Sequence, residues 1–251
     1  MRNIKLTLQY DGTRYLGWQK PVGDRQEKTV SHRLCTVLER ITGESISLYA
    51  GAKTEVGVHA LSQTVNFYTE TRLHERDLQE NLNRYLPTDI AIRECKTVPD
   101  RFRADLNARS KTYEYRICTA PVYGIFTSSY TAHLHPAPNI DLMKKGAGLL
   151  LGKHDFLPFS RSHKKKGTVR ELMNIDFSIP EEEADILKIS MTADDFLYRM
   201  PFLITGTLLE IGKGIRTPES VRNILGGTEK AEAICEAKGL LLKSVQYDDY
   251  M

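Results

Sequence analysis

Apolar side chains fall on every second residue at Ile4, Leu6 and Leu8, the spacing of a strand with one buried face. Further on, Val30, Leu34, Val37, Leu38 and Ile41 share one face of a helix that Thr29 can cap and Gly43 can end. Ile46, Leu48 and Ala50 alternate next, and Val65 and Phe67 mark another strand beyond the Gly57 turn. A second helix carries Leu78, Leu82, Tyr85 and Leu86 and stops at Pro87. Ile90 and Ile92 alternate in a closing strand. This is the βαββαβ order of a ferredoxin-like unit.

The remainder repeats that order. Tyr113, Tyr115 and Ile117 alternate, and residues 141–151 have helical spacing up to Gly152. Strands are expected at 175–179 and 186–189. The apolar segment 196–211 predicts a buried helix despite Pro201 and Gly206, and Leu240, Leu242 and Val245 close the chain. The fold class is therefore α+β, two ferredoxin-like βαββαβ units with a cleft between them. The boundary is expected within residues 98–110, giving units 1–106 and 107–251.

The 251 residues are 41% hydrophobic and 27% charged, an ordinary globular composition. No apolar run reaches the roughly 20 residues of a membrane span. The first residues run straight into a strand pattern with no apolar leader. Cys35, Cys95, Cys118 and Cys235 form no C-x-x-C pair, so the expected home is a reducing cytoplasm. Net charge is only +3 but uneven: residues 150–170 hold six Lys or Arg against one Asp, and 171–251 hold 8 against 15 acids. Such a local basic segment suits a local anionic contact.

Four segments could carry chemistry. Tyr10-Asp11-Gly12-Thr13-Arg14-Tyr15-Leu16-Gly17-Trp18-Gln19 is a strand end with an Asp-Gly turn, aromatic rings and Arg14. It suits base stacking and phosphate contact, or simply a turn with core aromatics. Ala52-Lys53-Thr54-Glu55-Val56-Gly57 sets a carboxylate and an ammonium in a glycine-flanked turn. Lys111, Tyr113 and Tyr115 share one strand face, where Tyr113 is either core or a stacking platform. Arg161, Lys164, Lys165, Lys166 and Arg170 form a basic stretch that would attract phosphates, or a solvated loop. His133, His135 and His154 lack a second ligand pair at metal-binding spacing and read as structural. No phosphate-cradling glycine motif is present, so neither cofactor nor metal is expected.

Taken in order, these segments resemble the tRNA pseudouridine synthase A family along nearly the whole chain. The family's opening Y-D-G-T-x-Y-x-G-W-Q stands at 10–19, and Thr29-Val30 matches its helix start. Leu-Leu-Gly-Lys-His-Asp-Phe at 150–156, Thr168-Val169-Arg170 and Phe196-Leu197-Tyr198-Arg199-Met200 match as well. So do Gly206-Thr207-Leu208-Leu209-Glu210-Ile211-Gly212 and Ala237-Lys238-Gly239-Leu240. The family's catalytic G-R-T-D-x-G-V-H-A reads Ala52-Lys53-Thr54-Glu55-Val56-Gly57-Val58-His59-Ala60 here. Its nucleophilic aspartate falls on Glu55 and its arginine on Lys53. The arginine that pairs with the aspartate in the family falls on Phe202, which Lys53 or Arg199 could replace. The family's stacking tyrosine is kept as Tyr113. The phenylalanine of F-H-A is kept as Phe102, with Arg103 in place of the histidine.

The resemblance implies the pseudouridine synthase fold, a homodimer and a tRNA substrate. It also implies uridine isomerisation in the anticodon stem-loop without cofactor, with Glu55 as nucleophile, Tyr113 stacking on the base and Lys53 as a charge partner. Arg14, Arg161, Lys164, Lys165, Lys166 and Arg170 would contact RNA. The alternative is an RNA-binding paralogue that keeps the groove and has lost the chemistry. On that alternative, free tRNA is isomerised weakly, and Glu55→Asp with Phe202→Arg restores more activity than the two single changes combined.

Overall fold

The alternation at Ile4, Leu6 and Leu8 produces strand β1 (Arg2–Tyr10), with those three side chains fully buried. The computed structural model describes residues 1–20, 25–162 and 166–248. The chain divides into two compact units, Met1–Arg109 with Leu241–Met251, and Ser110–Leu240.

In the first unit, Thr29 caps helix α1 (Val30–Thr42) by accepting from the His32 amide, and Gly43 ends it in the left-handed region. Strand β2 is only Tyr49–Ala50, shorter than the alternation from Ile46 predicts. The reason is local: the Ile46 amide donates to Glu39 and its carbonyl accepts from the Cys35 thiol, so α1 satisfies backbone that a ladder would otherwise need. Strand β3 (His59–Thr69), helix α2 (Glu75–Tyr85) and strand β4 (Ile90–Val98) follow. β1 lies between β3 and β4, antiparallel to both, with Leu6 opposite Val65 on one side and Cys95 on the other. Asn3 and Asn66, both buried, bond to each other and to the carbonyls and amide of residues 99–104. Two polar residues in a strand core thus pin the segment that carries Phe102.

The second unit begins with strand β5 (Ala108–Cys118), joined in parallel by the short β6 (Ala132–His133). Helix α3 (Ile140–Gly148) is capped by Asn139 and ends before Leu151, short of the predicted boundary, where two of its last three residues are glycine. Strands β7 (Gly152–Asp155), β8 (Val169–Ser178) and β9 (Ile186–Ala193) complete an antiparallel run β5-β9-β8-β7. Helix α4 (Met200–Gly212) is almost wholly buried. It starts four residues later than the hydrophobicity predicts, because Pro201 fits only the first turn and Arg199 stands before it at φ 66°. A Cβ on Gly146 of α3 would lie 2.8 Å from Ile211, so the glycine lets α3 and α4 approach closely. Helix α5 (Ser220–Leu225) follows. Strand β10 (Leu240–Tyr247) returns to the first unit, parallel to β3 at Leu241 opposite His59. Among the described residues no helix is long and apolar enough to cross a membrane.

Candidate active site

In the first unit, the turn that carries Glu55 is held from three sides. Gln63 on β3 clamps its entry, accepting from the Ala52 amide at 3.2 Å and donating to the Ala52 carbonyl at 2.8 Å. The Tyr10 hydroxyl meets Thr54 Oγ1 at 2.7 Å. The loop after β1 lies along the turn: the Trp18 amide donates to Thr54 O and the Gly57 amide to Tyr15 O. Two glycines make this approach possible. A Cβ on Gly12 would sit 2.1 Å from the Val58 carbonyl oxygen, and Gly17, at φ 90°, would place one 2.6 Å from Thr54 O. His59 Nδ1 accepts from the Gly12 amide at 3.0 Å, joining the same two segments. Glu55 is thereby presented from a fixed backbone, half-buried, with Oε2 shielded from solvent. Lys53 is exposed on the same turn.

Arg14 leaves this loop toward solvent, but Asp89 holds it: Nε and Nη2 both donate to Asp89 Oδ2, at 3.1 and 2.5 Å. The Tyr15 hydroxyl donates to Asp89 Oδ1 at 2.7 Å. Burial raises the Tyr10 phenol well above its ordinary value, and burial with the bond to Asp89 does the same for Tyr15. Both therefore stay protonated. Phe102 is fully buried and meets the Tyr247 ring edge-on at 5.1 Å. Arg103 is committed to a two-bond fork with Asp105 and lies 3.7 Å over the Tyr49 ring.

In the second unit, Tyr113 on β5 is buried, its ring edge-on to Phe196 at 5.1 Å. Beside it, Asp195 gathers the local cations, pairing with Lys111 and lying 3.9 Å from Arg170. Arg170 turns back to donate to the Gly167 and Val169 carbonyls. Arg161 donates to the Ser160 and Ala231 carbonyls. These two cations are thus bonded to described backbone on either side of residues 163–165. Lys166 is exposed, while Lys164 and Lys165 lie outside the described residues. Phe202 is 1% exposed within α4. The Arg199 guanidinium lies over the Phe202 ring at 5.3 Å and over Tyr198 at 5.6 Å. A left-handed arginine costs about 1–2 kcal/mol, so the surrounding structure enforces this conformation.

The histidines singled out in the sequence bond to backbone: His133 to Ala120 O, His135 to Thr119 O and His154 to Leu151 O. Three supporting residues escaped the sequence reading, namely Gln63, Asp89 and Asp195. None of the three carries a legible signal, since Gln63 is one of several polar residues along β3.

The family model described as tRNA pseudouridine synthase matches residues 7–106 and 147–248, spanning both units. A tRNA pseudouridine synthase A 2 of Bacillus cereus is 37% identical over 250 residues, covering 98% of this chain and all of the relative. The tRNA pseudouridine synthase A of Bacillus sp. strain KSM-64 is 37% identical over 249 residues, with the same coverage of both chains. So is tRNA pseudouridine synthase A 1 of Clostridium tetani, over 250 residues. The chain belongs to the tRNA pseudouridine synthase family.

Proposed function

We propose that this protein is a tRNA pseudouridine synthase that isomerises uridines of the anticodon stem-loop, working as a homodimer in the cytoplasm. The observation that carries the reading is the glycine-locked turn that presents Glu55 where the family places its nucleophile. The reaction breaks the N1–C1′ bond, turns the uracil and joins C1′ to C5, with the C5 proton lost and N1 left protonated, so it needs an ionised carboxylate at a fixed position and a base lifted from its stack. Glu55 is that carboxylate. Tyr113 offers its ring to the lifted base. Lys53 supplies a cation on the same turn, and Arg199 supplies the guanidinium that position 202 lacks. Arg14, Arg161, Lys164, Lys165, Lys166 and Arg170 meet the RNA backbone. Arg161 and Arg170 do so with their remaining N–H groups.

One observation favours a second reading, an RNA-binding relative without the chemistry: Phe202 is core where the family pairs an arginine with its acid. The deciding measurement is pseudouridine formed in tRNA transcripts by wild type and Glu55→Gln. Robust turnover that the variant abolishes establishes the enzyme. Tight tRNA binding with no product from wild type establishes the second reading.

A further inference from the structure

On the first unit, the loop after β1, the start of α1 and the turn after α2 border an open cavity of about 580 Å³. That lies within the roughly 300–1,000 Å³ of ligand pockets. Arg14, Lys28 and Arg33 line it, against the single carboxylate of Asp89. Asp89 is occupied by Arg14 and Tyr15, so it anchors the wall and leaves the other cations uncompensated. Lys28 and Arg33 are exposed, and among the described residues neither has a hydrogen-bonding or ion-pairing side-chain partner.

Arg33, Val37 and Arg40 share one face of α1 by helical spacing. Arg40 lies 4.9 Å over the Tyr85 ring, and Arg84 lies 5.8 Å from the same ring, which lines the cavity. The cations thus come from three separate segments and continue along the rim. A row of this kind suits a chain of anions better than one small ion, and guanidinium forks match phosphate oxygens. The cavity also abuts the candidate catalytic turn. The Leu16 amide donates to Lys28 O at 2.9 Å, and the Gly57 amide to Tyr15 O at 3.3 Å. Two backbone bonds therefore tie its wall to the turn that carries Glu55.

We propose that this cavity, walled in part by the loop that fixes the Glu55 turn, grips backbone phosphates of the RNA substrate. The inference rests on tRNA being the substrate. The test is the affinity of an unmodified tRNA transcript across a salt series, for wild type and for Lys28→Ala/Arg33→Ala. A double of equal charge change, Arg76→Ala/Arg93→Ala, serves as control on exposed residues outside the cavity. The cavity double should bind about tenfold more weakly at low salt. Its slope of log affinity against log salt should shrink by about two, since each lost phosphate contact removes roughly 0.9. Lys28→Gln/Arg33→Gln should behave alike while keeping longer side chains on α1. Affinity and slope indistinguishable from the control would overturn the proposal. The readout needs no turnover, so a wild type that binds in this salt-dependent way yet forms no pseudouridine would defeat the enzyme reading and leave the docking site standing.

Discussion

Two departures from the family motif, Glu55 in the 52–59 turn of the first unit and Phe202 at the start of α4 in the second, are absorbed in opposite ways. At the turn the backbone is over-determined by Gly12, Gly17, Gln63 and the Tyr10–Thr54 bond, and only the side chain is longer. At α4 the departing position has become core, since Phe202 is buried, and a cation stands three residues earlier on a strained backbone. A locked backbone tolerates a new side chain of the same chemistry. A position that loses its charge needs that charge supplied from elsewhere, at a conformational cost.

The comparison breaks first at Glu55. Glu55→Gln keeps the size and removes the carboxylate, and turnover should fall by roughly three orders of magnitude or more, the scale on which losing a nucleophile acts. Melting should be nearly unchanged, because the turn is held by backbone and by other side chains. A fall of less than tenfold, with pseudouridine measured by nucleoside analysis, would move the chemistry away from this turn.

Arg199 sharpens the other side. Arg199→Gly relieves the left-handed backbone and removes the guanidinium. It should stabilise the protein by up to about 1 kcal/mol while lowering turnover roughly a hundredfold, the cost of losing one electrostatic partner. Arg199→Lys should fall between them, since an ammonium lacks the fork. A melting temperature that drops in Arg199→Gly with turnover intact would make Arg199 a structural cap alone.

The double change tests whether the two departures belong together. Glu55→Asp shortens the reach by one methylene and should cost about a hundredfold in rate. Phe202→Arg puts a cation at a buried position and should lower stability as well as activity. If the departures are coupled, Glu55→Asp/Phe202→Arg recovers at least tenfold over the product of the single effects. Strict additivity in the four-way comparison would show that the two departures are independent.

Much of this was legible in the sequence, because period and capping are local. Thr29 and Gly43 bound α1 as read, and the motif placed Glu55 in a turn. What was not legible depends on long-range pairing. Asp89 anchors Arg14 from 75 residues away, and Asp195 meets Lys111 from 84. Neither acid sits in a pattern that marks it as a partner. The late start of α4 is not legible, because the apolar run continues through Phe196 and Leu197, and hydrophobicity alone cannot show that Arg199 turns left-handed before Pro201.

The smallest expected effect is that of Tyr113→Phe, and it asks which part of that side chain matters. The ring is buried and edge-on to Phe196, so it contributes packing whatever else it does. If its role toward RNA is stacking, the ring alone suffices, and Tyr113→Phe should keep turnover within tenfold, less than about 1.4 kcal/mol in the barrier. Tyr113→Ala removes both ring and packing, and should cost roughly 3–5 kcal/mol of stability together with turnover. Melting temperature and single-turnover rate at saturating tRNA separate the two contributions. A Tyr113→Phe variant that melts like wild type but turns over a hundredfold more slowly would break the stacking assignment, because the only group removed is the hydroxyl, and would make that hydroxyl a participant in the reaction.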